Sequence, residues 1–438
     1  MKYILYTLGI LFVISCTKTE DSLEVDVVPK TTNPVIIPPS AIVYPSNTLD
    51  SFSVINKTTS WYTTTRAMTQ LFDVFFSRYW GFESLANGIL VPYNTSTTNT
   101  WSASKSYYWN DLGTYLYTDF NGDGRKDLWA YYWKNPWPTN AVGLHLYSEY
   151  EKNPTVYDLQ IGLTQVRKCV VSDMDNDKSP DIMLFSSGYD GMPFPGDSLG
   201  IFYPKNLKYQ YLNQDIGYFH GGATGDINND GLIDIVAYSG GSAVIPVHPT
   251  CYINKGGQKF ELSNKVFKNF AQNDNYYTVE LFDINDDGKL DLFLGSSKIL
   301  RMIPNKNGEF DRATAISFSV DSTLELMDLA FLDFNFDGKK DVLTISNKKG
   351  YNGYGLRLYL NTANGFVEDT KSYFDIIDGE GKNGWIKWIR LFDFDQDGDI
   401  DVVADGLFGV LEGNKGRKIY WRNDAGKFKQ INLYQLYN

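Results

Sequence analysis

One nonapeptide, Asp-x-(Asp/Asn)-x-Asp-Gly-x-x-Asp with a single departure at its glycine, recurs six times in this 438-residue chain. The copies are DFNGDGRKD from Asp119, DMDNDKSPD from Asp173, DINNDGLID from Asp226, DINDDGKLD from Asp283, DFNFDGKKD from Asp333 and DFDQDGDID from Asp393. Their first aspartates lie 54, 53, 57, 50 and 60 residues apart. That period is the length of one four-stranded blade with its connections, so the repeats must be read before domains are counted.

Oxygen side chains at positions 1, 3, 5 and 9 of a tightly coiled loop wrap one hard cation, and a backbone carbonyl at position 7 adds another oxygen. The expected ligands are Asp119, Asn121, Asp123 and Asp127 in the first loop, and Asp173, Asp175, Asp177 and Asp181 in the second. Asp226, Asn228, Asp230 and Asp234 serve the third, and Asp283, Asn285, Asp287 and Asp291 the fourth. Asp333, Asn335, Asp337 and Asp341 serve the fifth, and Asp393, Asp395, Asp397 and Asp401 the sixth. About six Ca2+ ions are expected, in a structural role. Gly124, Gly231, Gly288, Gly338 and Gly398 stand at position 6, where glycine takes a positive φ without steric cost. The second copy has Lys178 there and is expected to be the strained or weakest loop.

An EF-hand loop begins in the same way but needs flanking helices and a bidentate Glu at position 12. Position 12 is Ala130, Leu184, Ala237, Leu294, Thr344 or Ala404, none of them a ligand. The flanks are strand-like: VVSD, VELFD and LAFLD lead in, and DIMLFS, DIVAYS and DVLTIS lead out. An apolar strand, an ion loop and a second apolar strand make a hairpin. A further signal follows several hairpins: Tyr252-Ile253-Asn254 with Phe260, Met302 to Asn305 with Phe310, Tyr359-Leu360-Asn361 with Phe366, and Tyr420 to Asn423 with Phe428. It reads as a third strand, a Gly-containing turn and a fourth strand.

The whole unit resembles the FG-GAP or VCBS repeat of integrin-α-type β-propellers over roughly the last 375 residues. That resemblance implies an all-β propeller occupying residues 51–438, with calcium holding the fold. Upstream, Gln70-Leu71-Phe72-Asp73-Val74 resembles Glu280-Leu281-Phe282-Asp283-Ile284, and Ile89 to Asn94 followed by Trp101 resembles the third-strand signal. A degenerate blade over residues 57–108, with Phe75 at a ligand position, would bring the count to seven; six blades is the alternative.

The chain opens with Lys2 and an apolar run from Ile4 to Ile14, too short to span a bilayer and typical of a signal peptide over residues 1–15. The run ends in Val13-Ile14-Ser15-Cys16, which resembles a bacterial lipobox; the resemblance implies cleavage before Cys16 and acylation of its thiol. Residues 16–50 follow as a Pro- and Thr-rich tether. Lys18-Thr19-Glu20-Asp21 resembles the export signal of Bacteroidota-type lipoproteins, which places the expected location at the outer membrane, lipid-anchored and facing the exterior. The remaining thiols, Cys169 and Cys251, fit no metal or disulfide spacing, and His145, His220 and His248 form no HExxH-like pair.

The formal charge of −12 follows from the loops, because 20 of the 52 acidic residues are their ligands and six divalent ions would offset that charge. Basic patches are absent, which argues against nucleic acid. In such a blade the ion loops occupy one end, so a ligand site is expected at the other, among loops 131–143, 188–197, 240–249, 348–355 and 378–385. Trp133, Trp137, Tyr189, Tyr351, Tyr354 and Trp385 are candidates to stack on sugar rings or clamp a peptide, with Asp190 and His248 as polar partners. The expected function is that of a non-catalytic surface lipoprotein binding a glycan, a peptide or another protein, beside an outer-membrane nutrient importer. The alternatives are a polysaccharide lyase-like enzyme, for which no paired base and nucleophile stands out, and an adhesion or assembly scaffold.

Overall fold

Apolar runs on both sides of each nonapeptide become paired strands, and the nonapeptide becomes the turn between them. The computed structural model describes residues 80–85, 89–94, 112–118, 120–123, 127–133, 142–148, 155–161, 163–189, 192–242, 244–271, 274–380, 386–392, 397, 399–406 and 419–431. The chain divides into Met1–Val43 and Tyr44–Asn438, and every described residue belongs to the second unit. Cys16, the signal segment, the tether, Asp73 and Phe75 lie outside the described residues.

Among the described residues, six antiparallel sheets follow one another in sequence order, five of four strands and one of five. The first holds Leu112–Thr118, Asp127–Trp133, Val142–Ser148 and Thr155–Ile161. The second holds Val166–Ser172, Asp181–Ser186, Asp197–Tyr203 and Lys208–Gly217. The third holds Phe219–Gly225, Asp234–Gly240, Val247–Asn254 and Phe260–Leu262. The fourth holds Thr278–Phe282, Asp291–Gly295, Leu300–Ile303 and Ile316–Ser317. In the fifth, Leu324–Leu332, Asp341–Lys348, Gly353–Thr362 and Gly365–Glu368 are joined by Asp378–Glu380, which pairs with the start of the third strand. The sixth holds Ile386–Phe392, Asp401–Gly406, Ile419–Asn423 and Phe428–Ile431. Every ion loop joins a first strand to a second, and its position-9 aspartate opens the second strand. Upstream, Ile89–Asn94 is a strand, as its sequence suggests, and pairs with Trp80–Leu85.

Hydrophobic contacts lie between sheets as well as within them. One cluster joins Val170, Met183, Phe185 and Ile201 of the second sheet to Phe219, Ile235 and Tyr252 of the third. Others join the third to the fourth, the fourth to the fifth and the fifth to the sixth. Phe282 and Phe331, from neighbouring first strands, stack at 4.2 Å between centroids with 7° between planes. Second strands are therefore covered on both faces, and Asp181–Ser186, Asp234–Gly240 and Asp291–Gly295 are buried at every residue. This explains why those segments are continuous apolar runs rather than alternating ones.

The first strands pack side by side in sequence order from the second sheet to the sixth. They converge closely enough for Lys168 of the second sheet to reach across the third to the fourth. Its Nζ lies 2.7 Å from Glu280 Oε1 and donates to the Val279 carbonyl at 2.9 Å, with both side chains buried. The intervening strand carries Gly221 and Gly222 at the crossing. A Cβ on Gly222 would lie 1.9 Å from the Phe185 ring and one on Gly221 2.5 Å from the Tyr277 carbonyl, so the approach requires that neither residue has a side chain. Sheets radiating from adjacent first strands, with cores between them, are a β-propeller-like arrangement.

One strand departs from its expected place. Phe310 keeps the expected antiparallel bridge to Asn305 but does not extend into the fourth strand of its sheet; with Asp311 it pairs in parallel with Phe267–Lys268 from the preceding connection. Ile316–Ser317 supplies the fourth strand instead. The cause is packing, since Phe310 is fully buried with Val266 and Ile303 and its ring stacks on Phe267.

Candidate ion loops and the opposite end

The loops from Asp173, Asp226, Asp283 and Asp333 share one backbone path. Both oxygens of the position-1 carboxylate accept backbone amides, Oδ1 from position 5 and Oδ2 from position 6, at 2.8–3.1 Å. The position-3 side chain accepts the position-5 amide as well, in Asp175, Asn228, Asn285 and Asn335. Asn121 does the same for Asp123 in the first loop. Position 5 in turn accepts the position-7 amide, at Asp177, Asp230, Asp287, Asp337 and Asp397. Short side chains that bond their own backbone two residues on are what fold such a stretch into a coil.

In the second to fifth loops two residues enter the left-handed region. Position 6 does so as expected, with φ of 88° at Gly231, 80° at Gly288 and 89° at Gly338, and Lys178 is forced to 68°. Position 4 was not singled out by the sequence reading, yet it too is left-handed, in Gly122, Asn176, Asn229, Asp286 and Phe336. Asn and Asp tolerate that conformation, whereas Phe336 adopts it with an exposed ring.

The sequence-predicted ligands divide into inner and outer groups. In the second loop the carboxylate oxygens of Asp173, Asp175 and Asp177 lie within 4.8 Å of one another. Positions 1, 3 and 5 thus converge on the outer side of the loop, and their donor set is all oxygen, which fits a hard cation. Position 9 has a second task. Asp181, Asp234, Asp291, Asp341 and Asp401 are buried. One oxygen accepts the position-2 amide, from Met174, Ile227 or Phe334, and the other accepts an asparagine amide of the third strand, from Asn254, Asn305, Asn361 or Asn423. Burial and the neighbouring carboxylates push Asp181 up to about 8, Asp234 to about 7 and Asp291 to about 6. Asp119, Asp393 and Asp395 lie outside the described residues, as does the side chain of Asp127.

The third-strand asparagines are the functional residues that the sequence reading missed. Three of them reach into the loop of the preceding sheet through Nδ2, Asn254 to the Met174 carbonyl at 2.8 Å, Asn305 to Ile227 at 2.9 Å and Asn361 to Ile284 at 3.4 Å, while Asn423 bonds the Ile400 carbonyl of its own loop at 3.1 Å. Asn254 and Asn305 also bond the position-8 carbonyl of their own loop. Their signal was the Asn that closes each third-strand pattern. At the corresponding register in the second sheet stands Pro204, which has no amide to give Asp181. That same loop is held differently, by Lys205 Nζ 2.8 Å from Asp177 Oδ2 and by Gln258 Nε2 2.8 Å from Asp175 Oδ2. Burial opposes ionisation of Asp177, and the Lys205 ammonium overrides it, lowering its pKa.

At the opposite end the structure brings the variable loops together in pairs. Loop 188–197 meets loop 240–249, where Ser242 Oγ donates to the Phe194 carbonyl at 2.7 Å. Loop 348–355 meets 378–380 through the added strand of the fifth sheet. Among the candidate ligand residues, Tyr189 is half-buried. Tyr354 is 7% exposed, edge-on to Trp421, with its hydroxyl accepting from Gln430 Nε2 at 2.9 Å, so its ring packs between the fifth and sixth sheets. His248 Nε2 lies 3.1 Å from both Asp215 oxygens and its Nδ1 2.9 Å from the Pro246 carbonyl. Burial alone would lower the pKa of the ring, but the bond and charge of Asp215 raise it. His248 thus ties the second sheet to the third. Asp190, Trp137 and Trp385 lie outside the described residues, as do the side chains of Trp133 and Tyr351.

A family model described as an FG-GAP-like repeat matches residues 226–294, 283–344 and 333–404, each match running from one ion loop into the second strand after the next. The chain therefore carries FG-GAP-like repeats in an all-β fold of antiparallel sheets, and the match spans a shorter stretch than the roughly 375 residues over which the resemblance was read. Among solved structures, the Vibrio cholerae biofilm matrix protein Bap1 is similar at 14% identity and a TM-score of 0.35, over 72% of this chain and 52% of that one. The chain thus spans about half the length of Bap1. Aleuria aurantia lectin in complex with Fucα1-6GlcNAc is similar at 10% identity and a TM-score of 0.36, over 66% of this chain and 90% of the lectin. The exotype rhamnogalacturonan lyase YesX is similar at 12% identity and a TM-score of 0.38, over 78% of this chain and 64% of the lyase. No curated protein matches the sequence. Among the described residues no helix is long and apolar enough to cross a membrane.

Proposed function

We propose that this chain is a calcium-stabilised, non-catalytic binding module, carried at the outer-membrane surface by an acyl chain on Cys16, whose glycan, peptide or protein ligand docks at the end opposite the ion loops. The observation that carries the reading is the convergence of Asp173, Asp175 and Asp177, together with the identical backbone path of four loops at one end of the sheets. Asp or Asn at positions 1, 3 and 5 would hold each ion, which supplies positive charge where carboxylates crowd and thereby binds the folded state in preference to the unfolded one. That role leaves the opposite end, where loop sequences differ from sheet to sheet, as the place for recognition. Acylation of Cys16 would anchor the chain without a spanning segment.

The test is thermal unfolding of the purified chain in millimolar calcium, after chelation and after restoration with calcium or magnesium, paired with a glycan and peptide binding screen. Chelation is expected to lower the melting temperature and calcium to restore it. An unchanged melt would sink the calcium assignment, and release of unsaturated oligosaccharides from uronic-acid polymers would sink the non-catalytic one. Intact mass of the membrane-extracted protein checks the acyl group on Cys16.

A further inference from the structure

The outer carboxylates of the second ion loop are bonded by side chains from elsewhere in the chain. Lys205 Nζ lies 2.8 Å from Asp177 Oδ2, and Gln258 Nε2 donates to Asp175 Oδ2 at 2.8 Å. Asp173 spends both oxygens on the Asp177 and Lys178 amides, so positions 1, 3 and 5 are all engaged. The third, fourth and fifth loops differ. Among the described residues no lysine, arginine or glutamine side chain bonds their positions 1, 3 or 5, although Lys289, Lys339 and Lys340 belong to those loops.

A local change at the end of the third strand delivers the lysine. The second sheet has Pro204 where the third and fourth have Asn254 and Asn305. Pro204 begins a single 3-10 turn, Pro204–Asn206, closed by Leu207 at φ 50°. Proline's fixed φ suits the first position of such a turn. Lys255 and Lys306 stand one residue after their asparagines, as Lys205 does after Pro204, yet neither bonds a loop carboxylate. There the chain enters a hairpin turn, in which the Lys255 and Lys306 amides bond the Lys259 and Glu309 carbonyls and Lys255 Nζ pairs with Glu261 at 3.4 Å. A lysine at this register is therefore not enough; the turn that Pro204 opens aims it at the loop. Gln258 is set in place from the other side. It lies in the last turn of the third sheet at φ 62°, where Gln210 Nε2 donates to its carbonyl at 3.1 Å and Lys208 Nζ bonds its Oε1, leaving its amide nitrogen for Asp175.

An isolated ion pair as exposed as Lys205–Asp177 contributes little, because water screens it and two side chains must be held still. Three converging carboxylates change that balance, since they repel one another unless a cation joins them. We infer that the Lys205 ammonium is the resident cation of the second loop and that calcium enters this loop only by displacing it, an assignment that rests on the calcium reading of the other loops. Calcium takes about six to eight oxygens, and the outer oxygens of Asp175 and Asp177 turn to it when Gln258 and Lys205 withdraw. A cation tethered this closely competes at an effective concentration on the order of millimolar, comparable to calcium outside a cell. Lys205 and Gln258 thus set the calcium affinity of this loop, and the loop keeps its path before the ion arrives.

Acetylation of the full chain by an amine-reactive ester at graded calcium, with each lysine read by peptide mass spectrometry, tests the exchange. Lys205 should be protected at low calcium and become reactive as calcium rises, with a midpoint about tenfold above that of the melting-temperature rise, which reports the other loops. Lys255 should not respond. Lys205→Met should keep the melting temperature in saturating calcium and, by equilibrium dialysis, bind about one more calcium per chain at the concentration that half-fills the other loops. Lys205 freely reactive at every calcium concentration, or unchanged binding in Lys205→Met, overturns the resident cation while leaving the other calcium loops standing. Protection of Lys205 that persists at saturating calcium overturns the exchange. No calcium bound by the wild-type chain overturns both this assignment and the calcium reading.

Discussion

The two ends of the sheets are built on different rules. At the ion-loop end, the loops from Asp173, Asp226, Asp283 and Asp333 repeat the same bonds at the same positions, to within a few tenths of an ångström. At the other end the contacts differ among the described residues: one pair of sheets is joined by His248 and Asp215, another by the Tyr354 ring against Trp421, and the fifth sheet gains a strand. Identical bonds under changing neighbours are what a scaffold needs. Where each sheet solves its own problem, the chain is free to vary its loops.

The contrast is broken most decisively by removing the ions. If external calcium is about ten times the dissociation constant, each site contributes about 1.4 kcal/mol by mass action and six contribute about 8 kcal/mol. Chelation should then lower the melting temperature on the order of 10 °C, read by scanning calorimetry. Next in size is Asn305→Ala at the repeated end. It strips partners from the Ile227 and Leu290 carbonyls and from the Gly308 amide, and should cost about 2–4 kcal/mol in a denaturant titration. Arg357→Ala, at the variable end, should cost only about 1 kcal/mol, because its partners Asp321 and Asp378 are solvent-exposed. A larger loss there than at Asn305 would reverse the assignment of the two ends.

The His248–Asp215 pair gives a pH signature. His248 is raised and Asp215 lowered, the pull of each partner overcoming the effect of burial. The histidine contribution is complete below the unfolded value of about 6.5 and is lost as pH rises through the raised folded value. The aspartate contribution is complete above about 3.9 and is lost as pH falls through its lowered value. Stability should therefore decline by up to about 1 kcal/mol on the alkaline side, and His248→Gln should flatten that slope. Smallest is Lys178→Gly, which relieves a side chain held at φ 68° and should stabilise by about 0.5 kcal/mol while tightening calcium at that loop.

The ion loops and the strands around them were legible in the sequence because their determinants are local. Gly231 sets its own φ, and Asp226 bonds residues four and five positions on. Lys178 was recognisable as the odd residue for the same reason. Phe310 keeps the bridge to Asn305 that its sequence signal implied, but the strand it opens is set by contact with Phe267, on a separate connection. The far end of the fifth sheet was half visible: segments 348–355 and 378–385 stand out by their length and aromatics, but Asp321 and Arg357 join them only through the register of three strands. Tyr354 looked like a ligand platform since composition does not say which face of a strand its ring takes.

The third-strand asparagines bear on how such a chain grows. Three consecutive units of some 55 residues, the third to the fifth sheet, each carry a plug, the asparagine that enters a socket, the loop carbonyl of the unit before it. Duplicating a unit copies both halves of the joint, so a newborn repeat fits its neighbours without any compensating change. Pro204 stands at that register in the second sheet, where a proline ring leaves the joint without its plug.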